Sequence, residues 1–211
     1  MSKGQSPSDY SLLAPFYDLL FDRPLSEGHA RIGELLSEEA LQHPKLKVLE
    51  IGVGSGLILN RLPAGVDYTG IDVNEKMLDL ARQKAKRLKL EKRVHLSNMD
   101  AENLSLEDQS FDLVIAPSVL SAMGDPAKAF EEMIRVTKVR GKIAIVVNLR
   151  DAGLRSKLVR PFDPLTRKFI GFRLDLTRKH FLNRGLTLLE DRPVNKLFGF
   201  SLSSFLLFEK K

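Results

Sequence analysis

The sequence predicts an α/β fold: a seven-stranded mixed sheet with helices on both faces and its last two strands antiparallel. Three observations carry this. The apolar run from Leu46 to Ile51 breaks into a glycine loop before apolar residues resume, the pattern of a buried strand followed by a tight turn. Further short apolar runs alternate with amphipathic stretches at the spacing of βα units. The last two apolar runs lie too close together for a crossover helix, so they must pair antiparallel.

The first strand and its loop read KLKVLEIGVGSG, from Lys45 to Gly56. The strand ends on Glu50 and Ile51, and Gly52, Gly54 and Gly56 alternate with Val53 and Ser55. Glycines at alternate positions open backbone angles closed to other residues and let a ligand approach the main chain. Leu57, Ile58 and Leu59 are expected to begin a helix whose N–H groups face that ligand. A dinucleotide fingerprint would place its third glycine where Leu57 stands. A nucleotide-like ligand of another kind is therefore expected.

Upstream, Pro15 is suited to the first turn of a helix that carries Phe16, Leu19 and Leu20 on one face. A second helix is expected over 27–41, stopped by His43 and Pro44, so that amphipathic helices occupy 10–41. Downstream, 66–72 reads as the second strand and ends on Asp72, 20 positions after Gly52. Asn74 caps a helix with Met77, Ala81, Ala85 and Leu88 at helical spacing. Strand three is 93–97, strand four 111–116, and Asp125 with Pro126 opens a helix through Lys138. Strand five is the run KIAIVVN after Gly141. The alternation lapses over 149–174, where basic and apolar residues mix. A helix over 176–184 closed by Gly185 and strands at 186–191 and 202–209 complete one domain, 1–211.

Composition narrows the chemistry. The 211 residues contain no cysteine, which removes disulfides, thiolate metal sites and cysteine nucleophiles. His29, His43, His95 and His180 lie far apart, so no metal site is expected. No apolar run approaches the roughly 18 residues of a membrane span and the N-terminus lacks a signal-peptide core, so a cytoplasmic location is expected. The net charge of +6 is uneven: 138–184 holds 13 Lys and Arg against three acids. A stripe of that kind suits an anionic partner, whether nucleic acid, phosphate-bearing substrate or acidic membrane surface.

The pattern ExGxGxG over Glu50 to Gly56, with Asp72 at the end of the second strand and MDAE after the third, resembles the class I S-adenosylmethionine (SAM) dependent methyltransferases, whose sheet is Rossmann-like. The resemblance implies SAM as cofactor and S-adenosylhomocysteine as product. It implies that Glu50, Gly52, Val53, Gly54 and Gly56 cradle the cofactor, that Asp72 and Val73 take the ribose, and that Met77 flanks the adenine. Asp100, Ala101 and Glu102 would face the adenine amino group, with Ala116 and Pro117 closing the far wall. One departure is KVRGK at 138–142, where the family often has KPGG; Arg140 there suits the end of a helix.

Outside this core, YSLLAPFYDLLF, the pair Tyr17-Asp18 and a fifth strand ending in Asn148 resemble the soluble bacterial phosphatidylethanolamine N-methyltransferases, relatives of the quinone-ring C-methyltransferases. Relatives carry Asn-His at that strand end, whereas Leu149 stands here in place of the His. The resemblance makes Tyr17 and Asn148 candidate catalytic side chains, with Tyr17 also near the cofactor. A phospholipid acceptor requires docking on an anionic leaflet. Tyr10, Arg150, Arg155, Lys157, Arg160, Arg167 and Lys168 are the candidates for it. The expected protein is a monomer held peripherally on the inner leaflet. A quinone or other small acceptor is the alternative. An RNA-binding module is a remote one, because no aromatic-and-basic interleaving or RNA-modifying motif appears.

Overall fold

The structure, a computed structural model, describes residues 17–149, 176–182, 184–197 and 200–211, with side chains except at 17–25, 196–197 and 200–202. Tyr10, Arg150, Arg155, Lys157, Arg160, Arg167 and Lys168 lie outside the described residues, as does the side chain of Tyr17.

Strands β1 (Lys47–Ile51), β2 (Asp67–Asp72), β3 (Val94–Asn98), β4 (Phe111–Pro117), β5 (Thr137–Val147), β6 (Leu186–Leu197) and β7 (Phe200–Lys210) form one sheet in the order β3-β2-β1-β4-β5-β7-β6. The first five pair in parallel. β7 is antiparallel to both β5 and β6, as the short span between the last two strands requires. Side chains of a strand alternate between faces, and β1 divides its residues accordingly. Val48 packs with Ile32, Leu35 and Leu36 of α1 (Tyr17–Gln42) and Leu78 of α2 (Glu75–Arg87). Leu49 and Ile51 pack with Phe130 and Met133 of α3 (Pro126–Val136) on the opposite face. With helices on both faces, the central strands must be apolar throughout, and Ile143 to Val147 are at most 1% exposed.

The predicted caps form. Asn74 Oδ1 accepts from the N–H groups of Lys76 and Met77, and Asp125 Oδ1 from those of Ala127 and Lys128 ahead of Pro126 in the first turn. Other expectations need correction. The two N-terminal helices are one, α1, which runs through Pro24. A proline there forfeits a helical hydrogen bond, and packing of Ile32, Leu35 and Leu36 on the sheet outweighs the loss. After the glycine loop there is no full helix, only the 3₁₀ turn Ile58–Arg61. Pro63 drives Leu62 to an extended conformation and ends it. Among the described residues of 176–184 there is likewise only the 3₁₀ turn Arg178–His180.

Helix α3 stops at Val136, and β5 begins directly. Arg140 therefore sits within a strand, at φ 63, and not at a helix end. The backbone is left-handed there, which an arginine adopts at a cost that a glycine would avoid.

Candidate functional site

The glycine loop lies at the carboxyl end of β1, between β2 and β4, where the strand order reverses direction. Open parallel sheets bind ligands at that crevice. Gly52, Gly54 and Gly56 have φ of 69, 51 and 77, so all three need the left-handed freedom that the sequence suggested. Gly52 is further constrained by space: a Cβ on it would lie 2.3 Å from Val119 Cγ2. At Gly54 the nearest atom to such a Cβ is Met77 Cε at 3.6 Å. The loop is therefore tightly closed on its β4 side, while on its α2 side Gly54 has Met77 at ordinary contact distance.

Asp72 ties the loop to β2. Its Oδ2 accepts from the Gly54 N–H and its Oδ1 from the Asn74 N–H, both at 2.9 Å. Burial raises its pKa, opposed by the N–H groups of Asn74, Gly54 and Val73. A carboxylate has about four acceptor sites, and with these three N–H groups bonded one remains for a ribose hydroxyl. Beside it Val73 is 63% exposed although apolar, and Met77 is buried at the start of α2. An exposed apolar side chain next to a hydroxyl-binding acid fits a planar base attached to a ribose.

Glu50 is buried and accepts from the Tyr68 hydroxyl. Burial pushes its carboxyl up to about 8; the Tyr68 bond and the Lys84 charge work against that rise, and the Asp72 charge adds to it. Burial, with Glu50 alongside, raises the Tyr68 phenol as well. Tyr68 is a site-supporting residue that the sequence reading passed over. Its signal was the acid inside an apolar strand, which needs a buried donor from a neighbouring strand.

Asp100 is exposed, and its Oδ1 accepts from the Glu102 N–H at 2.9 Å. Glu102 turns its carboxylate to the Asp125 N–H, at 2.8 Å, and so braces the chain ahead of α3. Ala101 is buried and packs on the α3 face of the core. Ala116 has no exposed surface and belongs to that same core, so it backs the site from within the sheet, with Pro117 ending β4.

The loop that follows is the other element missed from sequence. Ser118 takes φ 67 and donates its N–H to the Val146 carbonyl at 2.9 Å, and Val119 then closes over Gly52. The buried hydroxyls of Ser118 and Ser121 have no hydrogen-bond partner among the described residues. Asn148, half-buried just past β5, accepts from the Ser203 hydroxyl at 2.8 Å.

Residues 49–145 match the methyltransferase domain family. Over this stretch the chain carries a methyltransferase domain, and its fold is that of solved SAM-dependent methyltransferases. It is 40% identical over 108 residues to a phosphatidylethanolamine N-methyltransferase of Cereibacter sphaeroides, a match covering 51% of this chain and 53% of that one. It is 34% identical over 149 residues to a demethylmenaquinone methyltransferase of Deinococcus radiodurans, covering 68% of this chain and 61% of that one. The matched stretches thus span little more than half of these relatives. Among solved structures, a putative sarcosine dimethylglycine methyltransferase of Galdieria sulphuraria has the same fold, with a TM-score of 0.69 at 18% identity and 86% of each chain covered.

The methyltransferase domain implies SAM as its cofactor, and the site fits it: a glycine loop beside α2, an acid with acceptor capacity left for the ribose, and an apolar ledge for the base. Asp72→Ala removes that capacity. A hydrogen bond to a charged group contributes about 1.5–3 kcal/mol, so the Kd for SAM measured by calorimetry is expected to rise about 10- to 100-fold. A Kd within threefold of wild type would exclude Asp72 from the site.

Proposed function

We propose that the chain methylates the amine of phosphatidylethanolamine, and in further rounds its mono- and dimethylated forms, toward phosphatidylcholine at an anionic membrane surface. The observation that carries this reading is the 40% identity with the Cereibacter protein over 108 residues. The basic stretch supports it, because each Lys or Arg near an anionic leaflet contributes about 1 kcal/mol to docking. Among the described residues no helix is long and apolar enough to cross a membrane, so surface docking is the mode proposed, for a cytoplasmic monomer on the inner leaflet.

Bound SAM supplies an electrophilic methyl group and leaves as S-adenosylhomocysteine once a nucleophile has taken it. The chain's own residues have three tasks. The glycine loop and Asp72 hold the cofactor at the carboxyl edge of the sheet. α1, which packs Gly28 against Val146 near the end of β5, rises beyond that edge. Tyr17 stands eleven positions further along, about 16 Å of helix, so this segment covers the acceptor and excludes water. Tyr17 and Asn148 orient the acceptor, whose amine must arrive neutral for its lone pair to attack.

A second reading, transfer to a quinone-ring carbon, draws on the match to the demethylmenaquinone enzyme, which covers more of this chain. Both are tested together by incubating the protein with methyl-labelled SAM and phosphatidylglycerol vesicles holding either phosphatidylethanolamine or a demethylated quinone. Label is expected in methylated phospholipid. Label in the quinone alone, or in neither, would sink the phospholipid reading.

A further inference from the structure

Behind Asn148 lies a chain of buried polar groups that the cofactor site does not use. The Gly28 N–H of α1 donates to Asn195 Oδ1 of β6 at 2.9 Å. Asn195 Nδ2 donates to the Ser203 hydroxyl oxygen of β7 at 3.3 Å. Ser203 in turn donates to Asn148 Oδ1 at 2.8 Å. Asn195 and Ser203 are 2% and 4% exposed, where side-chain amides and hydroxyls are costly unless bonded.

The direction of this chain follows from its first link. An asparagine amide can ordinarily be turned over, and only its partners distinguish oxygen from nitrogen. A backbone N–H, however, is solely a donor. It fixes Asn195 with Oδ1 toward Gly28 and therefore Nδ2 toward Ser203. Ser203 then accepts from Asn195 and donates its proton to Asn148 Oδ1.

Two further observations indicate that the arrangement is held deliberately. Asn195 is at φ 56, inside a strand, a conformation that asparagine tolerates better than most residues yet still at a cost. α1 also approaches so closely that a Cβ on Gly28 would lie 3.0 Å from Val146 Cγ1 and 3.2 Å from Asn195 Nδ2. Glycine at 28 is what lets the first link form.

We infer that Asn195 and Ser203 are positioning residues that fix the amide of Asn148 with its oxygen inward, leaving Nδ2 as the group offered to the methyl acceptor. This rests on the reading above that Asn148 faces the acceptor, and it changes what Asn148 can do there. An amine whose lone pair must reach the methyl group cannot also accept a hydrogen bond from Nδ2. Asn148 therefore holds an oxygen of the acceptor, such as a phosphodiester or carbonyl oxygen, and the nucleophilic atom is set at a distance from it.

The test has two arms. In the full-length protein, NMR is expected to find the Asn148 side-chain amide protons, assigned by their loss in Asn148→Asp, exchanging rapidly with water. The Asn195 amide protons should be protected. Protected Asn148 protons bonded to Ser203 would overturn the inference. In the second arm, Ser203→Ala is expected to raise KM for the acceptor about tenfold with the Kd for SAM unchanged, and Ser203→Thr to restore it. A KM in Ser203→Ala equal to wild type, or an equal loss of SAM binding, would also overturn it. If the wild-type protein leaves phosphatidylethanolamine unlabelled, the phospholipid reading fails on its own, and the amide exchange still decides the orientation of Asn148.

Discussion

Gly52→Ala is expected to raise the Kd for SAM more than 100-fold while leaving the sheet folded. Two costs combine at this position. The left-handed φ of 69 costs a residue with a Cβ roughly 1–2 kcal/mol. The added methyl would also lie 2.3, 2.7 and 3.0 Å from Val119 Cγ2, Cβ and Cγ1. A β-branched side chain is stiff at χ1 and cannot swing aside alone, so the segment 118–122 has to move. That segment is anchored by the Ser118 N–H on Val146, and its shift opens the wall of the site between β1 and β4. Calorimetry with SAM reads the loss, and circular dichroism checks that the fold persists. The double variant Gly52→Ala, Val119→Ala separates the two costs. It removes the clash and keeps the backbone strain, so binding should recover in part. If it binds no better than Gly52→Ala, the contact with Val119 is not what closes the site.

The same position illustrates what could be read from the sequence. The glycine loop, Asp72 and the caps Asn74 and Asp125 are legible because each is a local device: a residue type meets a backbone need within a few positions. The antiparallel end of the sheet was legible because the span before β7 is too short for any other connection. Val119 was not, since it reaches Gly52 from the loop after β4. Nor were Tyr68 and Asn195, whose partners Glu50 and Gly28 are 18 and 167 positions away. The N-terminal segment was read as two helices, the second over 27–41, whereas burial of Ile32, Leu35 and Leu36 against the sheet carries one helix through Pro24. The opposite error occurred at 58–61 and 176–184. There the apolar pattern suggested helices, and Pro63 in the first case cut the segment to a single turn. Glu102 matched the family's acidic position, yet its carboxylate braces Asp125, a bond that no spacing could announce.

Glu50→Gln is expected to stabilise the SAM-free protein, and to do so more strongly as the pH rises from about 5 to 8. Glu50 titrates near 8 in the folded chain because burial disfavours its charge, against an ordinary value of 4.5. Between those values the folded state keeps a proton that the unfolded chain has released. Stability therefore falls with rising pH across this window, by about 1.4 kcal/mol per pH unit for one fully linked group, and levels off above about 8. Glutamine keeps the shape and can still accept from the Tyr68 hydroxyl, but it has no proton to lose. The raised pKa of Asp72 is present in both proteins, so the difference between their urea midpoints isolates Glu50. That difference should be small at pH 5 and widest at pH 8. A gap that stays constant over this range would mean that Glu50 is ionised in the folded protein, and that Tyr68 and Lys84 together outweigh its burial. The substitution is also expected to weaken SAM binding. A carboxyl group kept neutral by burial can ionise when a cationic ligand arrives, and glutamine cannot, so the stability gained would come at the expense of the site.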